Sequence, residues 1–269
     1  MTLFYLFLLS VVQGITEFLP ISSSAHLVLL HEWGLSPDAD PIAIDIAVHL
    51  GSIVAVCLYF RAEVGRVLNG IRQVAGGTLA TPDAFLALAL GVATVPALAF
   101  GALLAVTGWV DLFRNATVIG ITMIGFGILL WWAHRIFPET RSAREWRLRD
   151  AVVMGLWQAV ALIPGVSRSG ITLTAARMLG FERHDAARLA MLMSIPITLS
   201  TGAFLALKVA RAPVQDGLLW QAAVGAVLAF VAAYAALALM MRFLNAVSFT
   251  PYVIYRVILG VVLLAYAWS

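Results

Sequence analysis

The chain has 269 residues, of which 62% are hydrophobic and 12% charged, with a formal net charge of +3. Its mean hydropathy is strongly positive, which excludes an ordinary soluble domain and points to a polytopic membrane protein. The small excess of Lys and Arg is dispersed over short loops, so it bears on orientation in a bilayer and argues against nucleic acid as a partner. Cys57, the only cysteine, lies inside an apolar run, which excludes disulfides and cysteine-based metal sites.

The first apolar run, Leu3 to Val12, has no basic residue before it and no small-residue cleavage site after it, so a cleavable signal is not expected. It leads into Gln13 to His31, where Glu17, Pro20, Ser22, Ser23, Ser24 and His26 interrupt an otherwise oily sequence. Six runs then read as helices long enough to cross about 30 Å of hydrocarbon: Ile42 to Phe60, Phe85 to Val106, Ala116 to Ala133, Leu189 to Leu207, Leu218 to Met241 and Tyr252 to Trp268. Between the third and fourth lies a second polar stretch, Gln158 to Thr172, with Pro164, Gly165, Ser167, Arg168, Ser169 and Gly170.

The two polar stretches belong to arms of the same design, Met1 to His31 and Ala151 to Arg177, and the halves are collinear. Gln13 pairs with Gln158, Pro20 with Pro164 after a one-residue gap, and Ser22-Ser23-Ser24-Ala25 with Ser167-Arg168-Ser169-Gly170. Further on, Leu90-Gly91-Val92 resembles Val224-Gly225-Ala226, and Gly127 to Leu130 resembles Gly260 to Leu263. The expected fold is therefore all-α: one integral membrane domain of two repeats, 1–134 and 150–269, each a broken arm followed by three spans. If the repeats are inverted copies, each makes an odd number of crossings, so each arm is expected to dip in and return as a re-entrant hairpin broken at Pro20 or Pro164.

Loop charges give the orientation. Segment 61 to 84 carries Arg61, Arg66 and Arg72, and segment 134 to 150 carries Arg135, Arg141, Arg144, Arg147 and Arg149, so both are expected in the cytoplasm. Segment 32 to 41, with Glu32, Asp38 and Asp40, and segment 108 to 115, with Arg114 alone, are expected outside. Lys208 and Arg211 fall on the outside in this scheme, against the trend.

Polar groups at membrane depth cost several kcal/mol each without partners, so they usually face a wet cavity or a functional path. Arms meeting near the midplane bring Glu17, Ser23 and His26 opposite Ser167, Arg168, Ser169 and Thr172. Helix N-termini resuming after Ser22 and Ser167, with Gly170 and the Arg168 fork beside them, make an anion site suited to phosphate. Phosphoryl chemistry follows: a hydroxyl or water attacks phosphorus, His26 exchanges a proton, Glu17 orients the imidazole or holds a divalent cation, and Arg168 stabilises the transferring group.

Each residue also has a plainer reading. The serines after Pro20 suit a helix cap or a packing interface, and Glu17 suits a structural ion pair with Arg168. Asp45 and His49 share a helix face at i and i+4 and read as supporting residues. His31 and His134 read as interfacial. Arg256 reads equally as a helix-end anchor or a functional group.

The chain resembles the bacterial undecaprenyl-diphosphate phosphatase family of the bacitracin-resistance type. The resemblance rests on the stretches 13 to 26 and 164 to 170, with His49-Leu50-Gly51-Ser52, Ser194-Ile195-Pro196 and Tyr255-Arg256, and so spans nearly the whole length. It implies a multi-pass enzyme of the bacterial inner membrane, often a dimer, that hydrolyses a C55 polyprenyl diphosphate to the monophosphate for cell-wall synthesis. It also implies a divalent cation, magnesium or calcium, near Glu17, and a site open to the outer face. Glu17, Ser23 and His26 match its proposed catalytic residues, and Arg168 with Ser167, Ser169 and Thr172 matches its phosphate-binding loop; Arg168 is counted with the catalytic candidates as well, and Ser22 and Gly170 with the phosphate-binding ones. The attacking group is left open among Ser23, His26 and water, with Ser23 preferred. Gln13 stands where many members carry a second carboxylate, which puts a two-carboxylate metal site in question, and Leu189-Ala190-Met191 replaces a more usual Phe-Ser-Phe. The competing function is a polyprenyl-phosphate transporter or flippase built on the same repeats.

Overall fold

The structure is a computed structural model and describes residues 2–32, 41–113, 115–209, 217–244 and 246–268. The acidic residues Asp38 and Asp40, and Arg114 and Arg211, lie outside the described residues, as do the side chains of His31, Glu32 and Lys208.

Helix α1, Leu3–Phe18, starts where the Thr2 hydroxyl accepts the Tyr5 N–H at 3.3 Å. It stops because Leu19 precedes a proline and is held extended, with φ −68° and ψ 143°. Ser22, at φ +73°, reverses the chain, and α2 follows at Ser23–Glu32. The second arm repeats the plan: α8, Leu148–Val160, ends in turns leading to Pro164 and Gly165, and Ser167, at φ +70°, caps α9, Arg168–Met178. At about 1.5 Å per residue none of these four helices reaches about 30 Å. The predicted breaks at Pro20 and Pro164 fall inside the observed ones.

The remaining long helices match the six expected spans. They are α3, Pro41–Tyr59, α5, Pro82–Thr107, α7, Ala116–Ile136, α10, Arg183–Val209, α11, Leu218–Phe243, and α12, Thr250–Ala267. Five of these are long and apolar enough to cross a membrane, and α3 makes a sixth if counted with α4, Arg61–Ala75, from which it is bent by 93°. Helix α4 is a departure from expectation. Segment 61 to 84 reads in sequence as a charged loop, yet its arginines ride on an amphipathic helix that lies across the end of α3. Helix α6, Val110–Phe113, is a single turn between α5 and α7, and a 3₁₀ turn, Ala143–Glu145, precedes α8.

Packing crosses between the halves. Helix α1 leans on α11 and α8 leans on α5, in each case at a glycine. A Cβ on Gly14 would lie 2.6 Å from the Ala229 carbonyl oxygen, and one on Gly155 would lie 2.5 Å from that of Ala93. Small residues let helix backbones approach closely where lipid supplies no hydrophobic drive between them. Helices α3 and α11, and α7 and α12, complete the main contacts, so each arm is packed against a span of the opposite half. Helix α9 is buried from Ser169 to Arg177, and Arg168 at its start is partly exposed.

Candidate active site

The two breaks lie side by side. The Ser169 hydroxyl, in the first turn of α9, donates to the Leu19 carbonyl at 2.9 Å. Glu17, in the last turn of α1, is buried, and its Oε1 meets Arg168 Nη2 at 2.6 Å. The expected meeting of the two arms is thus an ion pair between residues 151 positions apart.

Glu17 collects further donors on Oε2: Gln13 Nε2 at 2.7 Å and Ser23 Oγ at 2.8 Å. His49 Nε2 stands 3.9 Å from the same oxygen. Arg168 extends its other nitrogen to the Ser194 carbonyl at 3.3 Å and to the Thr198 hydroxyl, both on α10. The carboxylate and guanidinium are therefore fixed from four helices, α1, α2, α9 and α10.

His26 takes a different place from the one expected beside Glu17. Its Nδ1 bonds the Ser22 carbonyl at 2.7 Å, and its Nε2 bonds the Tyr255 hydroxyl at 2.5 Å, with the two rings parallel at 5.6 Å. A carbonyl only accepts, so Nδ1 carries the hydrogen and Nε2 accepts from the phenol. His26 thus holds the Ser22 turn, and the imidazole facing Glu17 is that of His49. The His49 ring is turned by its Nδ1 bond to the Asp45 main-chain carbonyl at 2.7 Å, so the i, i+4 pair meets through backbone and not through the Asp45 carboxylate.

The phosphate-binding candidates divide. Ser167 caps α9 by accepting the Gly170 N–H at 3.2 Å and lies 3.2 Å from the Ser169 hydroxyl. Ser22 and Ser24 are likewise 3.2 Å apart across the first break. Thr172 is fully buried and donates to the carbonyls of Arg168 at 2.8 Å and Ser169 at 3.3 Å, within its own helix. What the arrangement offers is an anion site: the N-terminus of α9, a guanidinium, and a serine hydroxyl bonded to a carboxylate.

The sequence matches the family described as "Bacitracin resistance protein BacA" over residues 6–262. This chain belongs to that family. It is 55% identical over 269 residues to the undecaprenyl-diphosphatase of Dinoroseobacter shibae, covering 100% of both chains. It is also 53% identical over 273 residues to that of Roseobacter denitrificans, and 44% identical over 272 residues to that of Hahella chejuensis, covering 100% and 99% of those proteins.

Within this BacA-family chain, the sequence marks Ser194 and Tyr255 only as part of the family resemblance, with no role attached, and does not mark Thr198. Ser194, Thr198 and Tyr255 act through single bonds to Arg168 or His26, and nothing in their spacing shows it. Arg256 did carry a signal, a charge inside an apolar run. It is fully buried and donates to the carbonyls of Pro20 at 3.5 Å, Gly165 at 3.0 Å and Val166 at 2.9 Å.

The expected divalent cation finds a small donor set. No group of three or more His, Cys, Asp or Glu gathers among the described residues. Glu17 Oε1, however, has Arg168 as its one hydrogen-bond partner among the described residues, and Gln13 Oε1 is buried with none. A carboxylate oxygen and an amide oxygen fit magnesium, which takes one or two carboxylates and completes its shell with substrate phosphates and water.

Proposed function

We propose that this chain is a membrane phosphatase that hydrolyses undecaprenyl diphosphate to undecaprenyl phosphate and inorganic phosphate. The observation that carries the reading is the Glu17–Arg168 contact between the two breaks, in a chain matched end to end by proteins named undecaprenyl-diphosphatase. It acts as a multi-pass protein of the bacterial inner membrane, returning the lipid carrier to cell-wall synthesis. The halves are inverted copies whose arms dip from opposite faces, a plan supported by the exchange of packing partners between α1 and α8.

In the mechanism, Arg168 and the N–H groups opening α9 hold the terminal phosphate, with Ser167, Ser169 and Gly170 shaping that end. Ser23 Oγ attacks phosphorus and its proton passes to Glu17 Oε2, which already accepts that hydroxyl at 2.8 Å. The bridging P–O bond breaks, undecaprenyl phosphate leaves, and water then hydrolyses the phosphoserine to phosphate and free Ser23. His26, one turn beyond Ser23 on α2, exchanges the proton of that water through the Tyr255 hydroxyl bonded to its Nε2. Gln13 and His49 hold the Glu17 carboxylate in register. Glu17 and Gln13 would hold a magnesium or calcium ion, which supplies charge neutralisation on the diphosphate when bound.

The test is phosphate release from undecaprenyl diphosphate by purified protein in detergent. Ser23→Ala and Arg168→Ala should abolish it while the protein stays folded, and a phosphoserine should be trapped at residue 23 by rapid quenching. Full activity in both variants would refute the assignment. Headgroup translocation in liposomes without phosphate release would instead favour the transporter reading.

A further inference from the structure

We propose that Arg256 is a positioning residue for this reaction: its guanidinium ties the main-chain carbonyls of both breaks together and so sets the register in which Glu17 and Arg168 meet. The proposal rests on the phosphatase reading for its assay.

Arg256 lies nearly two turns inside α12, a helix apolar enough to cross the membrane, and is 0% exposed. A cation at such depth is expensive and is kept where it pairs or does work. Among the described residues no carboxylate lies within 4.0 Å of it, so an ion pair does not explain it. Its hydrogen bonds do. One arm of the fork reaches Pro20 O in the first break and the other reaches Gly165 O and Val166 O in the second, residues 236, 91 and 90 positions away.

These carbonyls exist to be bonded because both breaks interrupt helices and leave main-chain acceptors with no intrahelical donor. A rigid, planar five-donor group can serve two such ends at once, which a lysine ammonium on a flexible stem cannot do in the same geometry. The tied residues adjoin the chemistry. Pro20 lies three positions after Glu17, and Val166 lies two before Arg168. The guanidinium also borders α9 at its first turn, where a Cβ built on Gly170 would stand 2.9 Å from Arg256 Nη1. Gly170 therefore leaves the space in which the fork sits.

The experiment compares Arg256→Lys, Arg256→Met and Gly170→Ala with the unaltered protein. The last variant keeps the charge and presses hardest on the tip of the Arg256 side chain, at 2.9 Å, with Ser167 Cβ and Oγ next at 3.2 Å. Each is purified in detergent, its thermal midpoint is recorded, and kcat and KM for undecaprenyl diphosphate are measured separately on the folded fraction. A misplacement of about 1 Å in a catalytic group costs about 100-fold, so kcat should fall by roughly that factor in Arg256→Lys while KM changes by less than about threefold. Gly170→Ala should lower kcat in the same sense. The proposal is overturned if the folded fraction of Arg256→Lys and of Gly170→Ala turns over at the normal rate, whatever happens to the melting temperature, because a merely structural role predicts that result. It is also overturned if Arg256→Lys restores kcat lost in Arg256→Met, which would make the residue a point charge. Inactivity of the unaltered protein toward the diphosphate would count against the phosphatase reading instead.

Discussion

Replacing Glu17 by Gln and Arg168 by Met, singly and together, isolates the contact on which the site depends. The two side chains are 6% and 19% exposed and meet at 2.6 Å. At an effective dielectric of about 20, opposite charges so close attract by about 6 kcal/mol before desolvation is counted. Losing one partner of a buried pair costs about 3–5 kcal/mol, chiefly because the other charge is stranded. Here Arg168 retains Ser194 O and Thr198 Oγ1, so the Glu17→Gln loss should sit near the lower end, about 3 kcal/mol. The double variant strands nothing, and the coupling from the cycle should be about 2–3 kcal/mol. Unfolding in mixed detergent and sodium dodecyl sulfate micelles, followed by the fluorescence of the chain's 8 tryptophans, measures it. A coupling below about 0.5 kcal/mol, the range of exposed ion pairs, would mean that the arms do not meet through this contact.

Four further outcomes follow from the geometry. Gly155→Val should destabilise the fold by at least about 1–3 kcal/mol, since its Cβ would fall 2.5 Å from Ala93 O; an unchanged unfolding midpoint would contradict the α5–α8 contact. Ser167 both caps α9 and sits at φ +70°: Ser167→Ala should lose about 0.5–2 kcal/mol with the cap, and Ser167→Gly should be the more stable of the two because it relieves the backbone. Tyr255→Phe leaves His26 Nε2 without its donor and should cost about 1 kcal/mol, read by the same unfolding titration. Chelation should remove phosphate release and added magnesium or calcium should restore it, with Gln13→Glu lowering the concentration needed for half activation; turnover unaffected by exhaustive chelation would sink that part of the mechanism.

The spans were legible because hydropathy reports directly on a bilayer, and both breaks because proline and the residue before it leave the helical basin. What the sequence obscured was partnership. Nothing in the spacing of Glu17 and His26 reveals that one gathers Gln13, Ser23 and Arg168 while the other is taken by Ser22 and Tyr255, since that choice depends on which way α2 emerges from a turn at positive φ. Helix α4 was missed for a related reason. Its arginines identify a surface segment, but whether such a segment is loop or helix is decided by packing, here Asp83 at the start of α5 bonding both Arg66 and Asn69 at 2.9 Å.

The division of labour between the arms explains why neither half could carry the site alone. The first arm supplies the carboxylate and the hydroxyl bonded to it; the second supplies the guanidinium and the helix N-terminus that can receive an anion. Each component alone would be a polar group in hydrocarbon with no answering partner, at a cost of several kcal/mol. Brought together, carboxylate and guanidinium satisfy each other, and in the proposed mechanism a diphosphate competes for the same Arg168 fork. In that mechanism the Ser23 hydroxyl is already bonded to the carboxylate when the phosphate takes the arginine.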